Sequence, residues 1–469
     1  MKNKLFLILF ITVPFLCADA VIRNVPGNYS GIQTAINASN NGDTILVEPG
    51  TYFENITFRG KKVVLTSRFY ISNDLNYITN TIINGGNPVY PDTASCVIFR
   101  NGEDSTAVIQ GFTVTGGGGT AWTDEHGAGV YREGGGILTA YTSPVIRHNI
   151  IKNNVISNLS GVTSTGGAGI RAGDGNPKIL NNIITNNSSR YGPGVVLNYC
   201  GCNLRNNVIC GNYGAMSYHG GSGLWINGNS AKPRIIINNT IVNNSSLTGT
   251  GGILVYSAAV SMKNNIVWNN VSPAGAQFAA LYGGSITAQY CDIMGGYTGT
   301  GNISIPPDFG TNNFYLSSGS PCIDAGDTAS EMKDPEDTLN PGSAKYPALG
   351  TLRNDIGAYG GPYSKTIAEN TVDIKKNTGD IPGSFILYQN FPNPFNPGTK
   401  IRFDIPSGSA VSLNVYDITG KLIRNILNTN LLPGTYEIMF NAVDLPGGVY
   451  FFKLSAGTFS ATRKMMLVK

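Results

Sequence analysis

The middle of the chain is written in short apolar runs separated by Gly, Asn or Pro, and one phrase recurs through it. His148-Asn149-Ile150-Ile151 returns as Asn181-Asn182-Ile183-Ile184, Asn206-Asn207-Val208-Ile209, Asn238-Asn239-Thr240-Ile241 and Asn264-Asn265-Ile266-Val267. A second polar pair closes each copy, as in Asn153-Asn154 and Asn186-Asn187. A Gly-containing phrase precedes each copy and ends at Ile137, Ile170, Val195, Leu224 and Ile253, a mean spacing of 29 residues. A third apolar piece, such as Val145-Ile146 or Lys178-Ile179, sits between the two. Helical repeats need longer amphipathic segments than these breakers leave. Three short strands per period, stacked coil on coil, predict a parallel β-helix. About ten coils at ~4.8 Å each would make a rod on the order of 50 Å long.

The Asn pairs have a structural reading. Asn tolerates the left-handed backbone of a sharp corner. Repeated once per coil, its amide can hydrogen-bond up and down a ladder. Ser30 to Ala38 combines a Ser with apolar residues at helical spacing, which predicts a capping helix over the N-terminal end. Asp43 to Tyr52 reads as the first strand and its turn. With that entry segment and the Asn-Asn-Ile-Ile repeats, residues 21 to 327 resemble the pectin lyase-like right-handed parallel β-helix proteins. The domain so implied spans residues 21–330. Ser320-Pro321-Cys322-Ile323-Asp324-Ala325-Gly326-Asp327 and Asp355-Ile356-Gly357-Ala358-Tyr359-Gly360 are similar to closing segments of exported β-helix proteins with exchangeable anchors. On that basis residues 331–362 are expected to close the rod at its C-terminal end.

The pattern then changes. Residues 363–384 are polar and read as a linker. Val411 to Tyr416 alternates with period two, and Leu432 to Glu437 and Gly447 to Leu454 add strands bounded by Gly/Pro turns. This predicts a small antiparallel Ig-like β-sandwich over residues 385–469. Three phrases resemble the type IX secretion (Por) sorting domain, type A: Gln389-Asn390-Phe391-Pro392-Asn393-Pro394-Phe395-Asn396-Pro397, Tyr416-Asp417-Ile418-Thr419-Gly420-Lys421 and Lys464-Met465-Met466-Leu467-Val468-Lys469. The resemblance implies type IX machinery as a partner through residues 385–469, and delivery to the cell surface or the outside.

Residues 1–20 read as a signal peptide: Lys2 and Lys4, an apolar run from Leu5 to Leu16, then Ala18-Asp19-Ala20. The run is shorter than the ~20 residues a spanning anchor needs. Leu16 before Cys17 argues against lipidation. Export through the periplasm permits disulfides among Cys96, Cys200, Cys202, Cys210, Cys291 and Cys322, whose pairing the sequence leaves open. Cys200-x-Cys202 with Cys210 and His219 fits no zinc spacing, so stacked core cysteines or one local disulfide are expected and no metal.

Charge narrows the chemistry. Charged residues make up 13% of the chain and the formal net charge is +4. No Lys/Arg stripe is visible, so nucleic acid is not expected. Between Gly134 and Cys291 the only acidic residue is Asp174, against nine Lys/Arg. The central coils therefore lack the carboxylate pair of a glycosidase or the calcium cluster of a lyase. The best catalytic constellation lies where Asp124, Glu125, His126, Arg132 and Glu133 could stack on Arg147, His148, Arg171 and Asp174. From it Arg171, Asp174 and His126 are the candidate catalytic residues, and Asp124 and Glu133 candidate binding residues. Alternation points Leu138, Arg171, Val196, Trp225 and Leu254 outward from one strand column, a surface suited to sugar stacking or to cover by loops. Variable returns place insertions at one edge of the rod, where Arg190, Tyr191, Tyr213, Tyr218 and His219 fall as candidate binding residues.

Three functions remain. The first is a secreted or surface rod that binds polysaccharide without catalysis. The second is a polysaccharide lyase, the only reading that would call for a cofactor, calcium. The third is a structural stalk or adhesin.

Overall fold

The computed structural model describes residues 20–214, 220–229, 231–273, 275, 277–310, 314–367, 374–377, 382–396, 398–431, 433–442 and 445–468. The signal-peptide expectation thus lies outside the described residues but for Ala20, as do Tyr218 and His219.

Residues 22–293 wind into a parallel β-helix of about eight turns with three faces. Sheet 1 has ten strands, among them Val145–Arg147, Lys178–Leu180, Cys202–Arg205, Arg234–Ile237 and Ala259–Lys263. Sheet 2 has nine, including Ile150–Lys152, Ile183–Thr185, Val208–Cys210, Thr240–Val242 and Ile266–Trp268. Sheet 3 has eight, including Ile137–Ala140, Ile170–Gly173, Val195–Asn198, Leu224–Asn227 and Ile253–Tyr256. The repeat positions are in register: Ile150 pairs with Ile183, Ile183 with Val208, Val208 with Thr240 and Thr240 with Ile266. The axial core is aliphatic, with Ile146, Ile151, Ile170, Ile179, Ile184 and Val195 fully buried. Cys200 and Cys202 stack within it, and all six cysteines are buried.

The two residues of each Asn pair divide the labour. The first takes the left-handed backbone, with φ of 53° at Asn181, 55° at Asn206, 53° at Asn238 and 53° at Asn264. The second points inward and forms the ladder. Asn149 donates to Asn182 at 3.1 Å, Asn182 to Asn207, Asn207 to Asn239 and Asn239 to Asn265, each at 3.0 Å. A parallel ladder runs Asn154, Asn187, Asn212, Asn244, Asn270, and ends on Gln277.

The N-terminal end is closed by the helix Ile32–Ala38, which buries Ile32, Ala35 and Ile36 on the first coil. Ser30 does not cap it. Glu54, from a neighbouring coil, accepts the N–H groups of Ile32 and Gln33 at 2.8 Å each. A carboxylate there satisfies two orphan donors and meets the positive end of the helix dipole.

At the other end the structure departs from expectation. The last coil is covered by residues 294–303, where Tyr297 donates to the Ile286 carbonyl and Asn302 to that of Ala288, both at 2.9 Å. The segment expected to close the end is instead a strap that runs back along the flank. Asp327 N–H bonds Asn264 at 2.9 Å. Asn238 donates to Asp355 O, Asn206 to Gly360 O, and Asn181 to Tyr363 O. Those left-handed Asn side chains, turned outward, are the strap's docking points. Apolar strap residues Tyr315, Cys322, Ile356, Ala358, Tyr359 and Ile367 cover the outward Ile150, Ile183, Val208 and Ile266 of sheet 2. This explains the Ile-Ile doublets: sheet 2 is buried on both faces and so reads as continuously apolar.

The strap also bounds the linker. Residues up to 367 lie on the rod, and Ile374–Asn377 pairs antiparallel with Gly434–Asn441 of the C-terminal unit, so the expected linker shrinks at both ends. That unit is a sandwich of two four-stranded antiparallel sheets around Ile401, Phe403, Leu413, Ile438, Phe440, Phe452 and Leu454.

Buried strap carboxylates give a pH dependence. Burial, and then Asp355, push Asp334 up to about 8, and burial pushes Asp355 up to about 7. A free aspartate titrates near ~3.9. The folded strap therefore holds extra protons between about pH 4 and 8, and stability falls as pH rises through that window. The unfolding midpoint should be higher at pH 5 than at pH 8, and Asp334→Asn should flatten the difference. A midpoint rising from pH 5 to pH 8 would contradict this assignment.

Candidate functional site

Insertions gather between sheets 2 and 3, as the variable returns predict. The largest is a hairpin of Gly119–Thr123 and Val130–Glu133, paired antiparallel with Trp122 opposite Tyr131. It extends as a four-stranded sheet with Thr93–Ala94 and Ser164–Gly166. Alternation turns Tyr131 and Glu133 towards the outer face of sheet 3. Arg132 turns the other way, donating to Asp92 at 2.6 Å and Pro91 O at 2.7 Å.

Under the hairpin lies Arg171, the outward residue of Ile170–Gly173, with 0% of its side chain exposed. Glu125 grips it bidentately, one bond to Nη1 and one to Nη2 at 2.5 Å. Glu133 lies 2.9 Å from Nε, a charge contact without hydrogen-bond geometry. Asp124 is 3.7 Å from Nη2, and the guanidinium lies 4.4 Å from the centroid of the Trp122 ring. The carboxylates are occupied further: Glu133 accepts Trp122 Nε1–H at 3.1 Å and the Tyr191 hydroxyl, and Asp124 accepts Asn198 at 3.1 Å. Burial pulls the Arg171 pKa down, but Glu133 and Glu125 override it and hold the guanidinium charged. Burial raises Glu125, and Arg171 opposes. Gly173 is needed here because a Cβ would sit 2.1 Å from Arg171 and 2.2 Å from Glu125.

The expected constellation is thus half right. Asp124, Glu125, His126 and Glu133 do converge with Arg171 and Asp174. Arg132, Arg147 and His148 do not. Arg147 bonds Gln110, and His148 is half-buried at the opposite corner beside Phe69, where desolvation with Arg147 and Lys365 nearby pushes it down to about 4. Arg171 is a correction: sealed and triply countercharged, it can neither reach a substrate nor give up a proton. Tyr191 and Tyr213 are corrected too, being buried rather than presented on open loops. Arg190 is half-buried, with its backbone N–H on Thr165 at 3.2 Å.

Solvent reaches the edge of this cluster. His126, whose side chain is 40% exposed, lies 3.1 Å from Asp174 and stacks on Tyr199 with centroids 3.8 Å apart. Further along sheet 3 the outward side chains are aromatic. Tyr191, Trp225, Tyr256 and Tyr282 form a file with successive centroids 5.1, 6.2 and 4.5 Å apart. Trp225 is nearly covered, Tyr256 half-buried, and Tyr282 is 66% exposed. Between file and hairpin, Asn227 donates to Asn198 at 2.7 Å. Tyr199 and Tyr282 were missed in the sequence. They occupy the left-handed corner after sheet 3, with Tyr141, Asp174 and Ser257 in the same role, and aligning those corners would have found them. Among the described residues no three His, Cys, Asp or Glu side chains converge as a metal site. The carboxylates a lyase would need for calcium are committed to Arg171, so no step through calcium follows.

The C-terminal sandwich carries a different site. Its Gln389–Pro397 phrase clips the last strand: Phe395 N–H bonds Met466 O and Val468 N–H bonds Phe395 O, both at 2.9 Å. Asn393 accepts Met466 N–H at 2.9 Å, and Gln389 donates to Lys464 O at 2.7 Å. Asp417 folds the hairpin turn by accepting Thr419 N–H at 2.8 Å and Lys421 N–H at 3.1 Å. Residues 389–469 match the secretion system C-terminal sorting domain. Of the three phrases of that sorting domain, the first clips the C-terminal strand, the third belongs to that strand, and the second folds a hairpin turn. The chain is an exported protein, directed by the type IX system to the cell surface or the extracellular space. No curated protein and no solved structure matches the chain. No helix among the described residues is long and apolar enough to cross a membrane.

Proposed function

We propose that the rod is a non-catalytic binding module that holds a polysaccharide across the outer face of sheet 3. The observation that carries this reading is the aromatic file Trp225, Tyr256, Tyr282, one ring on each of three adjacent coils. Coils repeat every ~4.8 Å, and the register sets Trp225 opposite Leu254 and Tyr256 opposite Leu281, so the file crosses the three coils obliquely as an apolar track. Sugar rings have apolar faces that stack on such rings, and Tyr supplies a hydroxyl at its wet end. Asn198, Asn227, Asp174 and His126 beside the track supply the polar groups that orient a glycan. Export to the cell surface or the extracellular space is consistent with a polymer ligand of that kind.

A double substitution Tyr256→Ala and Tyr282→Ala is expected to weaken binding to the glycan selected on an array by about tenfold or more, about 1.4 kcal/mol. The unfolding midpoint should fall only slightly, since Tyr282 is exposed and Tyr256 half-buried. Unaltered binding would mean that the glycan sits elsewhere than the aromatic file, and no glycan bound at all would leave the stalk. Release of an unsaturated, ultraviolet-absorbing product from acidic polysaccharides would install a lyase instead, with His126 and Asp174 as its exposed pair.

A further inference from the structure

The outer face of sheet 1 carries a second pattern. Its register aligns Arg147, Leu180, Arg205, Ile237, Lys263 and Gln289 in one file. A cation thus returns at every second coil, about 9.6 Å apart, with an aliphatic side chain between. The three cations are evenly spaced along the chain, two repeats apart, which is why no stripe shows when the sequence is read linearly. Lys178 is exposed and stands on the coil between Arg147 and Arg205.

Little offsets these charges. Among the described residues Arg147, Lys178 and Arg205 have no ion-pair partner. Arg147 donates to Gln110 at 2.7 Å, and Arg205 to Asn203 at 2.9 Å while lying 5.2 Å from the Tyr363 ring centroid. Lys263 meets Asp327 at 2.7 Å, which ends the uncompensated stretch. The one carboxylate of the central coils, Asp174, is occupied with His126 at the corner after sheet 3. Like charges along one face repel, a cost that an anionic partner would relieve.

The geometry points to a binding face for an extended anionic polysaccharide, one carrying a carboxylate or sulfate on every second sugar and lying along the rod axis on sheet 1. Two coils span about the length of two sugar rings in an extended chain. The cations meet the anionic groups, and Leu180 and Ile237 meet the uncharged rings between them. Phosphates of a nucleic acid strand come about every 3.4 Å of duplex axis, which the file does not match. This face is separate from the aromatic track on sheet 3 and stands whether or not that track binds anything.

The test uses the full chain over surfaces bearing hyaluronan, chondroitin sulfate, uncharged dextran or double-stranded DNA. Both acidic glycans should bind and dextran should not, with binding weakening as salt rises and screens the charges. Arg147→Gln, Lys178→Gln and Arg205→Gln together should weaken it by about tenfold or more, and the Tyr256/Tyr282 double variant should leave it intact. If the triple variant folds poorly, Lys178→Gln alone, at an exposed position, should weaken binding by about two- to threefold. Undiminished binding by the charge variants would overturn the proposal. So would DNA held as tightly as the glycans, since that would report total charge and not a sugar repeat.

Discussion

Replacing Asn207 with alanine is expected to destabilise the rod by about 3–5 kcal/mol, far more than a residue of its size would suggest. Its Oδ1 accepts both the backbone and side-chain N–H of Asn182 at 3.0 Å. Its Nδ2 lies within bonding distance of Ile179 O at 2.8 Å, Arg205 O at 2.9 Å and Asn239 at 3.0 Å. Alanine leaves these groups buried with no water to replace the amide, and each unsatisfied group costs about 1–3 kcal/mol. Asn207→Asp keeps the shape and the acceptor but turns an anion towards two carbonyls. It should be at least as damaging at pH 7 and milder in acid, where the carboxyl regains a proton. Urea unfolding would measure both. Because solenoid coils lean only on their neighbours, the damage should appear as an early transition in coils near 207. A loss below about 1 kcal/mol would show that the ladder is dispensable.

Arg171→Met should be comparably costly, for an electrostatic reason. The substitution fills similar space but leaves Glu125 and Glu133 buried without a counter-charge, a loss of about 3–5 kcal/mol. With Arg171 no longer opposing its burial, Glu125 would titrate still higher in the folded state than in the unfolded one. Folded protein would bind extra protons, and stability would rise as pH falls. The variant should therefore be closest to the parent near pH 5 and furthest from it near pH 8, as read by unfolding midpoints. Adding Glu125→Gln should recover part of the loss, because the two residues form one bonded unit and their effects do not add. A small, pH-independent loss would mean that the hairpin is held by Trp122 and Tyr191 packing alone.

The sequence announces the rod because its signal is periodic: a corner Asn, an inward Asn and aliphatic pairs recur at nearly fixed spacing. It hides what depends on how coils stack. Arg171 reads as an outward residue on an otherwise apolar column, which alternation predicts correctly. Nothing local says that Glu125 and Glu133, some forty residues earlier, arrive on a hairpin and seal it. The outward Ile150, Ile183 and Val208 likewise give no sign that residues 320–367 return to cover them. The cation file of sheet 1 is invisible for the same reason, since its members are neighbours only across stacked coils. The sorting domain is legible because its phrases are contiguous.

The strap has a mechanical consequence. Because the chain leaves the rod after Ile367 and not at its last coil, a pull transmitted through the tail meets the buried Ile367–Tyr315 contact first and the Tyr363–Asn181 contact next. The terminal coil is shielded from that load, and the rungs at Asn206, Asn238 and Asn264 stand behind it in sequence. Tethering this protein by its tail would strain a replaceable surface seam before it unwound any turn of the helix.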